Sequence, residues 1–191
     1  MKHYIVIILL IFSSFRLVAQ QEAQQTQKPN YFNHTQISLL IGEESEDQTR
    51  KALIPSFQTV NGVRIGKYVG IGIGVGAEPF EYMTFPVFLS GYYFVHNNAK
   101  TSPYFVVKGG YTFSNSKKNL GYYYGSFENK GGLMINPEIG VRFKMSGIDM
   151  TLSGGYRFQR LESRVNQEGS HYIYKRQVDY NRISFALGIM F

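Results

Sequence analysis

The stretch VGIGIGVGAEP, Val69 to Pro79, places glycine at every second position from Gly70 through Gly76. Within it GIGVGA (Gly72 to Ala77) fits the pattern G-x-G-x-x-A, which in dinucleotide-binding folds opens a helix and is followed by an acidic residue about 20 positions on. Here the chain runs instead into Glu78-Pro79 and then into another alternating segment, so the phosphate-cradle reading fails on context. A period of two is the signature of a β-strand with two unlike faces. Val69, Ile71, Ile73, Val75 and Ala77 form one apolar row, and bare backbone forms the other.

The same period recurs along the chain. In NRISFALGIMF (181–191), Ile183, Phe185, Leu187, Ile189 and Phe191 oppose Arg182, Ser184, Ala186, Gly188 and Met190. IDMTLSGGYRFQ (148–159), LMINPEIGVRFKM (133–145) and YFVVKGGYTF (104–113) repeat the pattern. NHTQISLLIG (33–42), SFQTVNGVRIG (56–66) and TFPVFLSGYYFV (84–95) complete a set of eight with the opening stretch. The register of TFPVFLSGYYFV stays open, because Phe88, Tyr92 and Phe94 share a face with Ser90. No helical period of any length appears after Tyr31.

The connections alternate in length. KY (67–68), HNNAKTS (96–102) and SG (146–147) are short, whereas EESEDQTRKALIP (43–55), NSKKNLGYYYGSFENKG (115–131) and LESRVNQEGSHYIYKRQ (161–177) are long. Only EPFEYM (78–83) on the second side is short. An even-stranded, up-and-down antiparallel barrel with both termini on the short-turn side produces this layout.

Orientation follows from charge. One row of every segment is rich in Ile, Val, Leu and Phe. The other holds Arg64, Lys108, Glu138, Arg142, Lys144, Asp149, Arg157 and Arg182. A soluble barrel hides its apolar row; here the better assignment is the inverse, with the apolar row in lipid and the charges in a narrow lumen. Closure then leaves no unpaired strand edge in hydrocarbon. The fold expected is all-β: an eight-stranded antiparallel up-and-down transmembrane β-barrel over 31–191. Bare glycine on the inner face of the third strand leaves room for long neighbours, with Arg64, Phe88 and Tyr92 as candidates.

Before the barrel, MKHYIVIILLIFSSFRLVAQ has a basic start, a short apolar run and a small residue at Ala19, the pattern of a cleaved secretory signal over 1–19. Its apolar run is too short for the roughly 20 residues of a membrane-spanning helix. Loss of Lys2 and Arg16 with it lowers the formal charge from +7 to +5. Residues 20–30 read as a polar, disordered lead-in. Cysteine is absent, which removes disulfides, thiol chemistry and lipid attachment through cysteine.

With its signal segment, eight alternating segments and the ending ISFALGIMF, the chain resembles the small outer-membrane β-barrel proteins of Gram-negative bacteria. The similarity is to the OmpX/OmpA-like barrels and the porin-like or PorT-like outer-membrane beta-barrel domain family. The resemblance implies insertion in the cell outer membrane, contact with outer-membrane lipid and lipopolysaccharide, and recognition by the barrel-assembly machinery. Phe185, Leu187, Ile189 and Phe191 would carry that assembly signal. It implies no single activity.

The search for chemistry yields little. The histidines His34, His96 and His171 fall on a strand, a short turn and a long loop, so no metal site is expected, and no cofactor. Ser170-His171 with Glu168 or Glu162 mimics a hydrolase trio only in composition. A lipid-modifying hydrolase or acyltransferase with a rim site is the enzymatic alternative, and a soluble lipocalin-like binder the third. The lumen residues number six cations and two anions on this register. They read as a structural plug of ion pairs, with a small anion site as the sharper option. The long loops are basic and aromatic: Lys117, Lys118, Tyr122, Tyr123 and Tyr124 in one, Tyr172, Tyr174, Lys175 and Arg176 in the other. Such groups can contact lipopolysaccharide phosphates, glycans or a protein partner. Nucleic acid is not an expected ligand of an exported barrel.

Overall fold

The computed structural model describes residues 31–42, 52–80, 82–95, 100–114, 117–119, 126–166 and 173–191. The expected signal and lead-in therefore lie outside the described residues. Among those described, nine strands form: β1 (Tyr31–Ile41), β2 (Leu53–Ile65), β3 (Val69–Pro79), β4 (Met83–Phe94), β5 (Thr101–Ser114), β6 (Lys117–Asn119), β7 (Ser126–Phe143), β8 (Asp149–Asn166) and β9 (Ile173–Met190). All pairings are antiparallel and run in the order β5-β4-β3-β2-β1-β9-β8-β7-β6, and an additional β5–β7 pairing joins the two ends of the sheet. Eight strands thus close into an up-and-down barrel, and the three-residue β6 is an appendage on β7.

The closing seam joins the two ends of the described chain. β1 and β9 pair from His34↔Met190 to Ile41↔Ile183. Beyond them Asn33 N donates to Phe191 O at 2.8 Å, and Phe191 N to Asn33 O at 3.0 Å. The seam leaves no open edge over the height of β1, which is the condition for a sheet in hydrocarbon.

The inside-out orientation is visible in burial. Along the apolar rows Leu89 is 67% exposed, Leu187 63% and Ile73 61%. Between them, pointing inward, Lys108 and Arg157 are 0% exposed. A water-soluble barrel would invert these values.

The glycine row of β3 faces inward and admits the aromatic row of β4. Gly70 pairs with Tyr92, Gly72 with Ser90 and Gly74 with Phe88. A Cβ on Gly74 would fall on the edge of the Phe88 ring. This settles the open register of the fourth segment: Phe88, Ser90, Tyr92 and Phe94 all point into the bore, where the adjacent strand has no side chains. The alternation in β3 is therefore a steric allowance for its neighbour.

Two of the long connections are shorter than expected. β7, β8 and β9 each span 18 residues, against 11 for β1. β8 and β9 stay in register from Asp149↔Met190 to Asn166↔Ile173, so most of 161–177 is a two-stranded ribbon rather than a loop. Ser126–Gly131, also expected in a loop, belongs to β7. The physical reason is that a ribbon needs only a partner strand and not an apolar face. Polar residues therefore do not end it. Glu78 and Pro79, expected in a connection, are the last residues of β3.

Adjacent glycines on β5 test the wall directly. Gly109 points outward, with open space where a Cβ would stand, whereas a Cβ on Gly110 would overlap the Val87 carbonyl oxygen across the β4–β5 ladder. Gly109→Ala should leave stability within about 0.5 kcal/mol. Gly110→Ala should cost about 1–3 kcal/mol through overpacking. Urea titration of refolding into lipid vesicles, read by heat-dependent gel mobility, checks both.

Candidate functional site

The bore is filled in layers, and its middle layer is ionic. Lys108 on β5 donates to Glu138 Oε1 on β7 at 2.7 Å, with both side chains essentially inaccessible. Glu138 also accepts from Asn136 Nδ2 at 2.7 Å, Gln36 Nε2 at 3.3 Å and Ser153 Oγ at 3.0 Å. The second pair joins Arg157 on β8 to Glu78 on β3. Arg157 Nη2 lies 2.8 Å from Glu78 Oε1 and 2.7 Å from Oε2. Ser56 Oγ at 2.7 Å and Gln58 Nε2 at 3.1 Å complete that carboxylate.

Gln58 links the two pairs, since its Oε1 accepts from Lys108 at 3.2 Å while its Nε2 donates to Glu78. An amide can do this because it carries an acceptor and a donor on one planar group. Dehydrating each ion costs several kcal/mol, which its partner and hydrogen bonds must offset. Arg157 Nε and Nη1, Gln36 Oε1 and Asn136 Oδ1 find no partner among the described residues, so the layer has hydrogen-bonding capacity left over for water.

Apolar layers lie on both sides of the ions. Toward the short turns, Phe32, Tyr92, Phe94 and Tyr104 converge, with Phe32 edge-on to Tyr92 at 5.1 Å and Tyr92 stacked on Phe94 at 5.8 Å. The Arg64 and Arg142 guanidinium groups sit over the Phe94 ring at 4.9 and 5.3 Å, and Arg142 is 3.6 Å from Asp149. His34 bridges this layer to the ions: Nδ1 is 3.0 Å from the Tyr92 hydroxyl and Nε2 is 3.0 Å from Thr151 Oγ1. Toward the long connections, Leu40, Ile54, Phe80, Leu161, Val178 and Tyr180 form the other layer. Arg182 lies over Phe80 and Tyr180 at 5.7 and 5.4 Å and donates to the Leu40 and Ala52 carbonyls.

Of the residues assigned to the lumen from sequence, Lys108, Glu138, Arg142, Arg157 and Arg182 are buried there. Arg64 and Asp149 are half-buried near the short-turn end. Lys144 is a correction: it is exposed, because β7 ends at Phe143 and the chain has already left the wall. Its backbone N–H bonds to the Lys100 carbonyl at the turn.

Glu78 is the main omission from the sequence reading. The signal is present, since the inward row Gly70, Gly72, Gly74, Gly76 continues onto it, but the following proline reads as the end of the strand. Gln58 and Gln36 escape a charge census because neutral amides carry no formal charge. His34, isolated in the sequence, is held by two hydroxyls.

At the rim, Lys117 and Lys118 lie on β6, and Tyr174, Lys175 and Arg176 on β9. Tyr122, Tyr123, Tyr124 and Tyr172 lie outside the described residues. So do His96, Glu168, Ser170 and His171; Glu162 is exposed on β8. Phe185, Leu187 and Ile189 point outward from β9, and Phe191 follows it at the seam.

Where β9 runs past the end of β1, a cleft of about 430 Å³ opens between Ile41, Gly42, Tyr180, Arg182 and Ile183. Asp179 on its margin is gripped by Arg160 through Nε at 2.8 Å and Nη2 at 2.9 Å. That fork, on the ribbon beyond the apolar wall, holds the Asp179 carboxyl below the usual carboxylate range.

No protein-family model matches the chain, and no curated protein matches it. Solved structures do resemble it. The outer membrane protein OprG from Pseudomonas aeruginosa aligns with a TM-score of 0.61 at 12% identity, over 86% of this chain and 96% of that one. Neisserial surface protein A aligns at 0.54 and 11%, over 84% and 96%. The outer membrane protein AlkL, solved in lipid bilayers, aligns at 0.54 and 12%, over 88% and 92%.

The Glu78–Arg157 pair makes a sharp test of the ionic layer. Glu78→Leu should destabilise the barrel by about 3–5 kcal/mol, because it strands a buried guanidinium. Adding Arg157→Met should recover most of that loss. Urea midpoints of the two variants in lipid vesicles measure the difference. At the identities above the likeness to solved structures is one of fold: this chain is a closed eight-stranded barrel of the kind those outer-membrane proteins adopt.

Proposed function

We propose that the protein is a non-enzymatic outer-membrane barrel whose bore is a structural plug and whose work is done at its rim. The reading rests on one observation: the ionic layer of the bore uses its carboxylates on its own cations, with aromatic and aliphatic layers on either side. Lys108 and Arg157 each spend their charge on an internal partner. That arrangement supports a stiffening role over an anion site or a solute path. Location in the outer membrane is supported by the apolar outer wall and by the likeness to outer-membrane barrels.

The ribbon formed by β8 and β9 projects past β1, and it carries Arg164, Lys175 and Arg176 among its paired positions. Together with Lys117 and Lys118 on β6 it supports contact with an anionic outer surface, lipopolysaccharide phosphates being the natural ligand class. The role is then structural or adhesive, or accessory to a larger assembly.

In planar lipid bilayers the purified barrel should give no resolved conductance steps; regular steps in salt solution would refute the plug. Reversing charge at Lys117, Lys118, Lys175 and Arg176 to glutamate should weaken salt-sensitive binding to lipopolysaccharide vesicles while leaving heat-modifiable mobility intact. Unchanged binding would remove the rim from the account.

A further inference from the structure

Between the short turns and the level of Ile41, the outward rows of the wall are apolar except at one place. On the lipid side of β1 and β2, Asn33 lies opposite Asn61 and Thr35 opposite Thr59. Thr59 is the middle residue of the 13 in β2. Along the same outward row Phe57 precedes it, and Val63 and Ile65 separate Asn61 from the turn. The neighbouring strand presents Val75 and Ile73 against Thr59 and Asn61. The patch is therefore enclosed on its strand and on the next by side chains that face lipid tails.

Within it three side chains close a ring. Asn33 Nδ2 donates to Thr59 Oγ1 at 3.3 Å, the Thr59 and Thr35 hydroxyls are 2.8 Å apart, and Thr35 Oγ1 donates to Asn33 Oδ1 at 2.9 Å. With the Thr35 proton given to Asn33, Thr59 must donate to Thr35, and every hydroxyl is satisfied. Asn61 lies outside the ring. Its Oδ1 accepts twice, from Asn33 Nδ2 at 3.0 Å and from the Tyr31 hydroxyl at 2.6 Å. Its Nδ2 has no partner among the described residues, and the residue is exposed. Two N–H donors are thus presented to hydrocarbon, where acyl chains offer no acceptor and an unmet polar group is expensive.

We infer that this patch is the contact face of a homodimer within the membrane. The occupant must bring an acceptor into the apolar wall, which lipid tails do not. A carboxamide carries donor and acceptor together, so two copies of Asn61 related by a two-fold axis satisfy each other, as an isologous interface requires. The short Asn and Thr side chains let the two walls approach, the same device that brings membrane segments together elsewhere. This adds a partner, a second copy of the chain, to the rim role proposed above and does not depend on it.

The absence of cysteine makes the test clean. Ile73 faces outward across the ladder from Asn61, and Ile139 faces outward on β7. Ile73→Cys, the sole thiol, should form a disulfide-linked dimer on oxidation in lipid vesicles at low protein density, and Ile139→Cys should not. Adding Asn61→Leu with Thr59→Val to Ile73→Cys should weaken dimerisation roughly tenfold, with folding unchanged by gel mobility. Single-molecule photobleaching of labelled wild-type barrel in vesicles should show two-step traces. Single-step traces, equal cross-linking at both cysteines, or a dimer indifferent to Asn61→Leu would each overturn the inference, as would cross-linking in cells to a different protein alone.

Discussion

A chain inside hydrocarbon has no water to satisfy its backbone, so each N–H and C=O must find another strand. The β1–β9 seam, from His34↔Met190 to Ile41↔Ile183, is where that demand is met last. Everything else follows from closure. Eight strands fix a bore only wide enough for side chains. The apolar rows must then face out, and whatever remains must fit and neutralise itself inside.

The bore solves the fitting problem by pairing unlike strands. β3 contributes backbone only along its glycine row, and β4 contributes rings, so Phe88 and Tyr92 occupy the volume over Gly74 and Gly70. It solves the charge problem by bringing distant segments together. Glu78 and Arg157 are 79 residues apart, and Lys108 and Glu138 are 30 apart. Neither pair is local to one strand, so the ionic layer rewards the native register and no slipped one. A one-residue slip of β3 would send Glu78 to the lipid and leave Arg157 alone in the bore. The layer thus specifies the fold at least as much as it stabilises it.

The alternation in NRISFALGIMF and VGIGIGVGAEP is enough to read strand number and orientation, because lipid and bore impose opposite chemistries at a period of two. Strand ends are less legible. Lys144 continues the inward row on paper, yet the chain turns after Phe143. Glu78 reads as part of a turn because Pro79 follows it, although proline is tolerated at a strand end. The β8–β9 ribbon reads as loop for want of an apolar face, which a ribbon outside the membrane does not need. The bore partners depend on which strands meet across the barrel, and a local pattern in one segment carries no trace of that.

Both faces of β1 and β2 carry amides and hydroxyls, but under opposite constraints. Inside, Gln36 and Gln58 join a network in which carboxylates and cations absorb their donors and acceptors. Outside, Asn33, Thr35 and Thr59 close on themselves and leave the Asn61 amide facing an apolar solvent. Stability alone does not account for that choice: valine at 59 and 61 would pair as well across strands and sit better in lipid. A polar group that the wall does not need, placed where lipid cannot answer it, is explained by something that can, and the self-complementary amide makes a second copy of the same wall the simplest candidate.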